Sequence, residues 1–325
     1  MNFLKNIKLT LIITNQNLFG KMIIYKNLNI KKKHKNSVIA IGNFDGLHLG
    51  HQKVLKDAKQ KATTKKLKFG LVTFEPVPTM FFNRNIENHR INSFNQKIYF
   101  LKKIKLDFLI IINFNKIFSN ISAESFIKKI LYEKFKSKYI FISRNFRFGK
   151  KRLGDIKTLK NFEKKYLYKT LVTIPYKKKN KIVSSSLIRK IIQKGKVKEA
   201  EKLLGRPWSI EGKVIKGEQR GRLIGFPTCN IKLNSYILPK LGVYSVQVEI
   251  NNSQKKGIAN IGYRPTFNGK SILLEVNIFG IKKNLYKKIL KISFINFIRE
   301  EKKFINTIQL KAQIKKDIIS AKNNV

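Results

Sequence analysis

From Ser37 onward, short apolar runs alternate with longer stretches in which apolar residues recur at helical spacing. The short apolar runs read as parallel strands, and the amphipathic stretches between them as crossover helices. VIAIG, FGLVTF, DFLIII and YIFIS are the strands so predicted, with helices from Leu49 to about Lys65, Asn95 to Lys105 and Ala123 to Phe135. This alternation predicts an α/β fold with an open parallel sheet. After Leu187 two short helices, IRKIIQKG and VKEAEKLLG, precede GRPW, where proline breaks the helical pattern. Beyond Pro207 the texture changes to period-two segments (WSIEGKVI, YSVQVEI, GIANIG, ILLEVNIF and KKILKISFI) separated by Gly, Asn and Pro. They predict an antiparallel sheet or small barrel, with an amphipathic helix from about Thr307 to Ala321 packed on it. The domain expectation is therefore 22–194 and 208–325, joined by a linker at 195–207.

Composition fits this division. A chain of 325 residues with 42% hydrophobic content has the length and apolar surface for two cores. A single cysteine permits no internal disulfide and no CxxC metal pair, as expected in a reducing compartment, so a cytoplasmic location is expected. The net charge of +52 would ordinarily point to nucleic acid or an anionic membrane. Here the excess is mostly Lys, scattered through every segment alongside Asn, Ile, Phe and Tyr, residues whose codons are rich in A and T. A dedicated nucleic-acid face would show Arg clusters interleaved with exposed aromatics, so no nucleic-acid partner is expected. The basic start has an apolar run, Leu9 to Thr14, that is too short for a leader or a span and is interrupted by Asn15, Gln16 and Asn17. Neither secretion nor a membrane span is expected.

The first chemical constellation is Ile41-Gly42-Asn43-Phe44-Asp45-Gly46-Leu47-His48-Leu49-Gly50-His51, directly after the first predicted strand. At that place glycines permit a tight turn, and a helix N-terminus offers unpaired N–H groups to an anion. Gly42 and Gly46 supply the turn, and Gly50 lets a phosphate approach the backbone. His48 and His51, three apart, share one helical face and can both donate to phosphate oxygens. A satisfied core pair, or half a metal site, is the alternative, the latter disfavoured by the lack of a nearby Cys cluster or third His. A second candidate is Val183-Ser184-Ser185-Ser186-Leu187-Ile188-Arg189, in which Ser185, Ser186 and Arg189 at a helix start can hold phosphates; alone it would be a Ser-capped helix.

The HxGH string resembles the nucleotidyltransferase superfamily, whose members attack the α-phosphate of ATP and release pyrophosphate. By that resemblance His48, His51, Gly42, Asn43, Phe44, Asp45 and Gly50 contact the nucleotide, with SSSLIR closing over it. Phe74-Glu75-Pro76 and Asn145-Phe146-Arg147-Phe148-Gly149, followed by Arg152 and Gly154-Asp155, look like the flavin side of a bacterial FAD synthetase. That places Asn145, Phe146 and Phe148 at the flavin, although core packing alone would also account for the two rings.

The second constellation runs from Gly217 through Arg220, Gly221, Arg222 and Gly225 to Pro227-Thr228-Cys229-Asn230. Such a loop can wrap polyphosphate, and Thr228 and Asn230, two apart on a strand, could share a magnesium ion bound to ATP; a plain turn is the alternative. The string closely resembles the flavokinase motif ending in PTxN. Gly242-Val243-Tyr244, Asn260-Ile261-Gly262, Arg264-Pro265-Thr266-Phe267, Leu285-Tyr286, and Ile298-Arg299 with Phe304 follow in the family's order. Glu275, within Leu274-Glu275-Val276, fits the family's base for the riboflavin 5′-hydroxyl, though by pattern it could be an outward strand residue. Arg299 is by the same resemblance a flavin-loop or phosphate contact.

The resemblance covers roughly residues 22–322 and identifies the chain with bifunctional riboflavin kinases/FAD synthetases. It implies a Rossmann-like adenylyltransferase domain and a small β-barrel kinase domain. ATP and Mg2+ would serve both, riboflavin, FMN and FAD would be substrates and products, and the chain would be a monomer or weak homo-oligomer. Residues 1–21 precede the usual family start and are expected to be an extension or a mis-assigned start. Ser143 stands where a Gly is common, Asn277 where a His is, and Cys229 where an Ala is. A chain retaining only the kinase, with a degenerate first domain, and a basic nucleic-acid-binding protein on the same scaffold are the competing readings.

Overall fold

The computed structural model describes residues 22–83, 86, 88–217, 219–233, 235–251, 253–266, 269–281 and 283–323. The proposed extension at 1–21, Glu218 and Phe267 lie outside the described residues, as does the side chain of Arg220.

Six strands form one parallel sheet: β1 (Ile23–Tyr25), β2 (Val38–Ile41), β3 (Phe69–Glu75), β4 (Phe108–Asn113), β5 (Tyr139–Ser143) and β6 (Lys169–Thr173). Their order is β1-β4-β3-β2-β5-β6. The four central strands are those anticipated; the edges β1 and β6 are additions, one of only three residues and one that starts on a lysine. Both faces are covered, which is why the central strands are apolar without alternation. Val38, Ala40 and Leu71 pack with Leu55 and Ala58 of the helix Leu49–Thr64. Ile39, Ile110 and Ile142 pack on the other side with Ile127 and Ile130. The helix expected at Ala123–Phe135 is a short turn, Ala123–Ser125, followed by a π-helix, Phe126–Lys134. Its buried residues, Phe126, Ile127, Ile130 and Leu131, with Phe135 beyond them, recur every four to five positions, a spacing that the wider winding keeps on one face.

Neighbours on one side of β2 are joined to it in one direction and those on the other side in the opposite direction, so the strand order reverses between β2 and β5. The crevice at the carboxyl ends of these strands is where ligands bind in such sheets. The loop 42–48 leaves β2 there.

A small hairpin, β7 (Lys177–Lys178) and β8 (Lys181–Ile182), leads to helices Ser185–Gln193 and Val197–Leu204. Their buried residues, including Ile188, Ile192, Ala200 and Leu204, join the apolar cluster of the barrel rather than that of the sheet. The barrel comprises β9 (Trp208–Ile215), β10 (Cys229–Lys232), β11 (Gly242–Ile250), β12 (Ser253–Thr266), β13 (Gly269–Ile278) and β14 (Ile289–Arg299). It closes in the order β10-β13-β12-β11-β14-β9, with antiparallel pairs throughout. Trp208, Tyr244, Val246, Ile261, Leu274, Val276 and Phe294 fill its interior. The helix Thr307–Asn323 lies outside, where Ala321 and Ile318 meet Val243 and Ile258.

The two domains share a hydrogen-bonded seam. Gln96 donates to the Ser209 carbonyl and hydroxyl, both at 3.1 Å, and accepts from the Tyr236 hydroxyl at 3.0 Å. The Trp208 indole N–H donates to the Ile91 carbonyl at 2.9 Å. The His89 and Arg90 N–H groups donate to the Ser235 carbonyl, and Ile237 N–H donates back to Arg90.

Candidate functional site

The loop after β2 turns through a left-handed conformation at Phe44, Gly46 and Leu47, with φ of 48°, 81° and 41°. Two non-glycine residues held there mark a backbone that its surroundings fix. Asp45 is buried, and its carboxylate accepts from the Ile91 N–H at 3.1 Å. The Arg189 guanidinium pairs with it at 2.6 Å while its Nε–H donates to the His89 carbonyl. Ser185 donates to the Asp45 carbonyl at 2.9 Å. Gly50 passes so close to Val183 that a Cβ there would stand 3.1 Å from the Val183 carbonyl oxygen. The two motifs, some 140 residues apart, thus meet.

His48 is the N-cap of the helix Leu49–Thr64: its Nδ1 accepts the His51 N–H at 3.3 Å. With Nδ1 so occupied, the neutral ring carries its proton on Nε2. The two imidazoles stack, centroids 3.7 Å apart. Burial, then the charges of Arg206 and Arg189, pull His48 down to about 4. His51 is held well below the usual imidazole value, by burial first and His48 next. Its Nδ1 is shut off from solvent with no partner among the described residues. Both rings are therefore neutral near pH 7, each with one N–H to donate.

Asn43 and Ser186 are exposed at the rim, whereas Phe44 is buried beneath it. On the flavin side, Asn145 is exposed and Phe146 half-buried, but Phe148 is buried between Phe146 and Phe126. The free aromatic face there belongs to Phe146.

In the barrel a cavity of about 1320 Å³ opens on the outside, between the strands and the helix Thr307–Asn323, instead of in the filled interior. Five residues that line it lie on one register: Asn230 opposite Glu275, Glu275 opposite Asn260, Asn260 opposite Val243, and Val243 opposite Arg299. Five adjacent strands bring them together because facing residues on neighbouring strands share a side. The sequence alternative for Glu275, an outward strand position, and its candidate role coincide, since the cavity lies outward. Gly217, Gly221 and Thr228 also line it, while Arg222 and Gly225 are exposed beside it. A Cβ at Gly217 would run into the Asn230 amide, so that glycine permits the close approach of loop and strand. Asn277 donates to the Pro227 carbonyl at 2.7 Å and ties β13 to the start of β10. Arg299 is held by the buried Asp317 of the last helix through a two-pronged pair, the shortest contact at 2.6 Å.

Sequence reasoning passed over several residues. Lys97 is buried, its Nζ donating to the Asn43 carbonyl at 3.0 Å; burial lowers its ammonium, against which Glu75 and Asp45 raise it. Arg206, from the linker, grips the Gly46 and Leu47 carbonyls. Arg90 pairs with Glu75, and Asp317 orients Arg299. Among 70 Lys and Arg a buried cation carries no signal in the sequence. Asp317 had one, as the sole acidic residue of a lysine-bearing helix.

Stacked neutral imidazoles and a buried Asp45–Arg189 pair at the carboxyl ends of a parallel sheet, joined to a closed barrel with a cavity on its outer face, define a two-domain protein with an α/β half and a β-barrel half. Comparisons with known proteins agree domain by domain. A family model described as FAD synthetase matches residues 30–187, and one described as riboflavin kinase matches 204–325. A "Bifunctional riboflavin kinase/FMN adenylyltransferase" of Buchnera aphidicola subsp. Schizaphis graminum is 42% identical over 294 residues, 89% of this chain and 94% of that relative. One of Haemophilus influenzae is 37% identical over 90% and 96%. A crystal structure described as a macrolide-efflux protein from Streptococcus pneumoniae superposes with a TM-score of 0.82 at 30% identity, over 93% of this chain and 99% of that one. Among the described residues here, no helix is long and apolar enough to cross a membrane. The chain belongs to the bifunctional riboflavin kinase/FMN adenylyltransferase family.

Proposed function

We propose that the barrel phosphorylates riboflavin to FMN with one ATP and that the α/β domain adenylylates FMN with a second, giving FAD and pyrophosphate. The observation that carries the kinase half is the register row that sets Glu275 beside Asn230 in one cavity. Glu275 takes the proton of the ribityl 5′-hydroxyl as its oxygen attacks the γ-phosphorus, and ADP leaves. Gly217, Arg220, Gly221, Arg222 and Gly225 form the loop that surrounds the phosphates. Arg299, oriented by Asp317, faces the flavin or its new phosphate. Thr228 and Asn230 suit the Mg2+ that accompanies ATP: hydroxyl and amide oxygens are the hard donors it takes, and it needs few from protein. When bound, it screens the phosphate charge.

In the α/β domain an oxygen of the FMN phosphate attacks the α-phosphorus of ATP and pyrophosphate departs, with no covalent enzyme intermediate. His48 and His51 donate N–H groups to the phosphates, Ser186 and the helix N-terminus complete the cradle, and Ser185 holds the Asp45 carbonyl beside it. Neutral imidazoles that meet the growing charge of the leaving pyrophosphate gain most in the transition state, which is what accelerates the step. Arg189 holds Asp45 and the loop. Gly42, Asn43, Phe44 and Gly50 shape it, and Asn145, Phe146 and Phe148 lie on the FMN side. The intact convergence of Asp45, His48, His51, Ser185 and Arg189 favours both activities over a kinase with a degenerate first domain.

The test is to incubate purified protein with riboflavin, ATP and Mg2+, then with FMN in place of riboflavin, and to separate the flavins. FAD from both is expected. FMN accumulation without FAD would leave only the kinase, and no flavin product would remove both assignments.

A further inference from the structure

Arg206 belongs by sequence to the linker into the barrel, yet its guanidinium is spent on the other domain. One nitrogen donates to the Gly46 carbonyl at 2.6 Å and to the Asn92 side-chain oxygen at 3.0 Å. The other donates to the Leu204 carbonyl at 3.1 Å and the Leu47 carbonyl at 3.3 Å. Its plane rests over the Phe100 ring, 3.8 Å from the centroid. Gly46 and Leu47 are the two left-handed residues directly before His48, so Arg206 grips the turn at its most constrained point. From the opposite end, Lys97 holds the Asn43 carbonyl. A carbonyl and the N–H of the following residue share a plane and point opposite ways. Turning the carbonyls of Asn43 and Leu47 toward buried cations therefore directs the Phe44 and His48 N–H groups away from those cations, while the Leu47 N–H closes the turn on the Phe44 carbonyl at 3.4 Å.

We propose that Arg206 is a positioning residue for adenylyl transfer: by fixing the Gly46–Leu47 turn it sets His48 at the head of its helix, so the linker of the kinase domain governs the nucleotide geometry of the other domain. Only a planar fork can serve these carbonyls together, which distinguishes this arginine from a lysine. The first residues of β9 support the reading, because Trp208 and Ser209 are bonded to Ile91 and Gln96 of the same domain as the loop. Docking of the barrel thereby presents Arg206 to the loop.

The inference rests on the adenylyl-transfer reading, and the test separates the two. In the full-length chain, Arg206→Ala and Arg206→Lys are compared with the parent for FAD formation from FMN and for FMN formation from riboflavin. Misplacement by an ångström costs on the order of 100-fold, so Arg206→Ala should lower kcat for FAD formation by about that factor, with KM for ATP changed by less than about threefold. Arg206→Lys should recover part of kcat, and both variants should make FMN at the parent rate. FAD formation by Arg206→Ala within twofold of the parent would overturn the inference. So would a rise in KM alone, or an equal loss of both reactions in Arg206→Lys, which would mean general loosening. Should Arg206→Ala fail to fold, Arg206→Lys decides: reduced FAD kcat with an intact kinase supports the positioning role, and parental kcat refutes it. A parent chain that makes no FAD from FMN would instead refute the underlying reading.

Discussion

His48 caps its helix and, in the proposed reaction, donates to phosphate, and burial makes both possible only while its ring is neutral. Its value of about 4 lies below the ordinary imidazole range, so between roughly pH 4 and 6.5 the unfolded chain binds a proton that the folded one does not. Stability contributed by the neutral ring is thus complete above that window and falls as pH drops through it. The loss should approach roughly 3 kcal/mol for His48, with His51 acting in the same direction. Denaturant melts from pH 7 to 4 should show this slope, and it should flatten in a His48→Asn/His51→Asn chain; an unchanged slope would assign it to other groups. Asp45 gives a second residue-scale prediction. It neutralises Arg189 in a buried pair, so Asp45→Ala should cost about 3–5 kcal/mol and abolish FAD formation; activity near that of the parent would detach the pair from the site. The strings that meet at the candidate site were legible in the sequence because they cluster residues of unusual chemistry over a few positions. Arg206 and Lys97 were not, because their function comes from burial, which a lysine-rich composition conceals.

At the scale of elements, the kinase cavity follows from register. The period-two pattern of β13 announces that Leu274, Val276 and Ile278 point one way and Glu275 the other, and that much could be read directly. Which residues Glu275 meets could not, since pairing with Asn230 and Asn260 depends on two strands 45 and 15 residues distant. The last helix was legible as amphipathic, but its role was not: it walls the cavity and carries Asp317 to Arg299. Asp317→Asn keeps the shape and removes the charge, so Arg299 should lose its fixed orientation. We expect KM for riboflavin to rise about tenfold, equivalent to roughly 1.4 kcal/mol, with FAD formation from FMN untouched; an unchanged KM would make the pair purely structural.

At the scale of the molecule, the seam of Gln96, Tyr236, Trp208, Arg90 and Ser235 ties the two domains together through hydrogen bonds. The change of texture along the sequence follows the change from parallel sheet to barrel; this seam was invisible because each partner is an ordinary residue whose value lies in its distant neighbour. Trp208 is the sole tryptophan, buried in the barrel and bonded to the α/β domain, so its fluorescence reports on both. Fluorescence and circular dichroism should record a single coincident unfolding transition, and Gln96→Ala should separate the two curves. Two transitions in the parent would show that the seam does not couple the domains.

The central claim is that two reactions occupy two distinct sites in one chain. The most direct measurement is a crossed assay of Glu275→Gln and His48→Ala/His51→Ala, each given riboflavin or FMN with ATP. The account predicts that Glu275→Gln forms no FMN yet converts supplied FMN to FAD, whereas the double histidine variant accumulates FMN and forms no FAD. Kinase turnover in Glu275→Gln, or an undiminished FAD yield from the histidine variant, would contradict it.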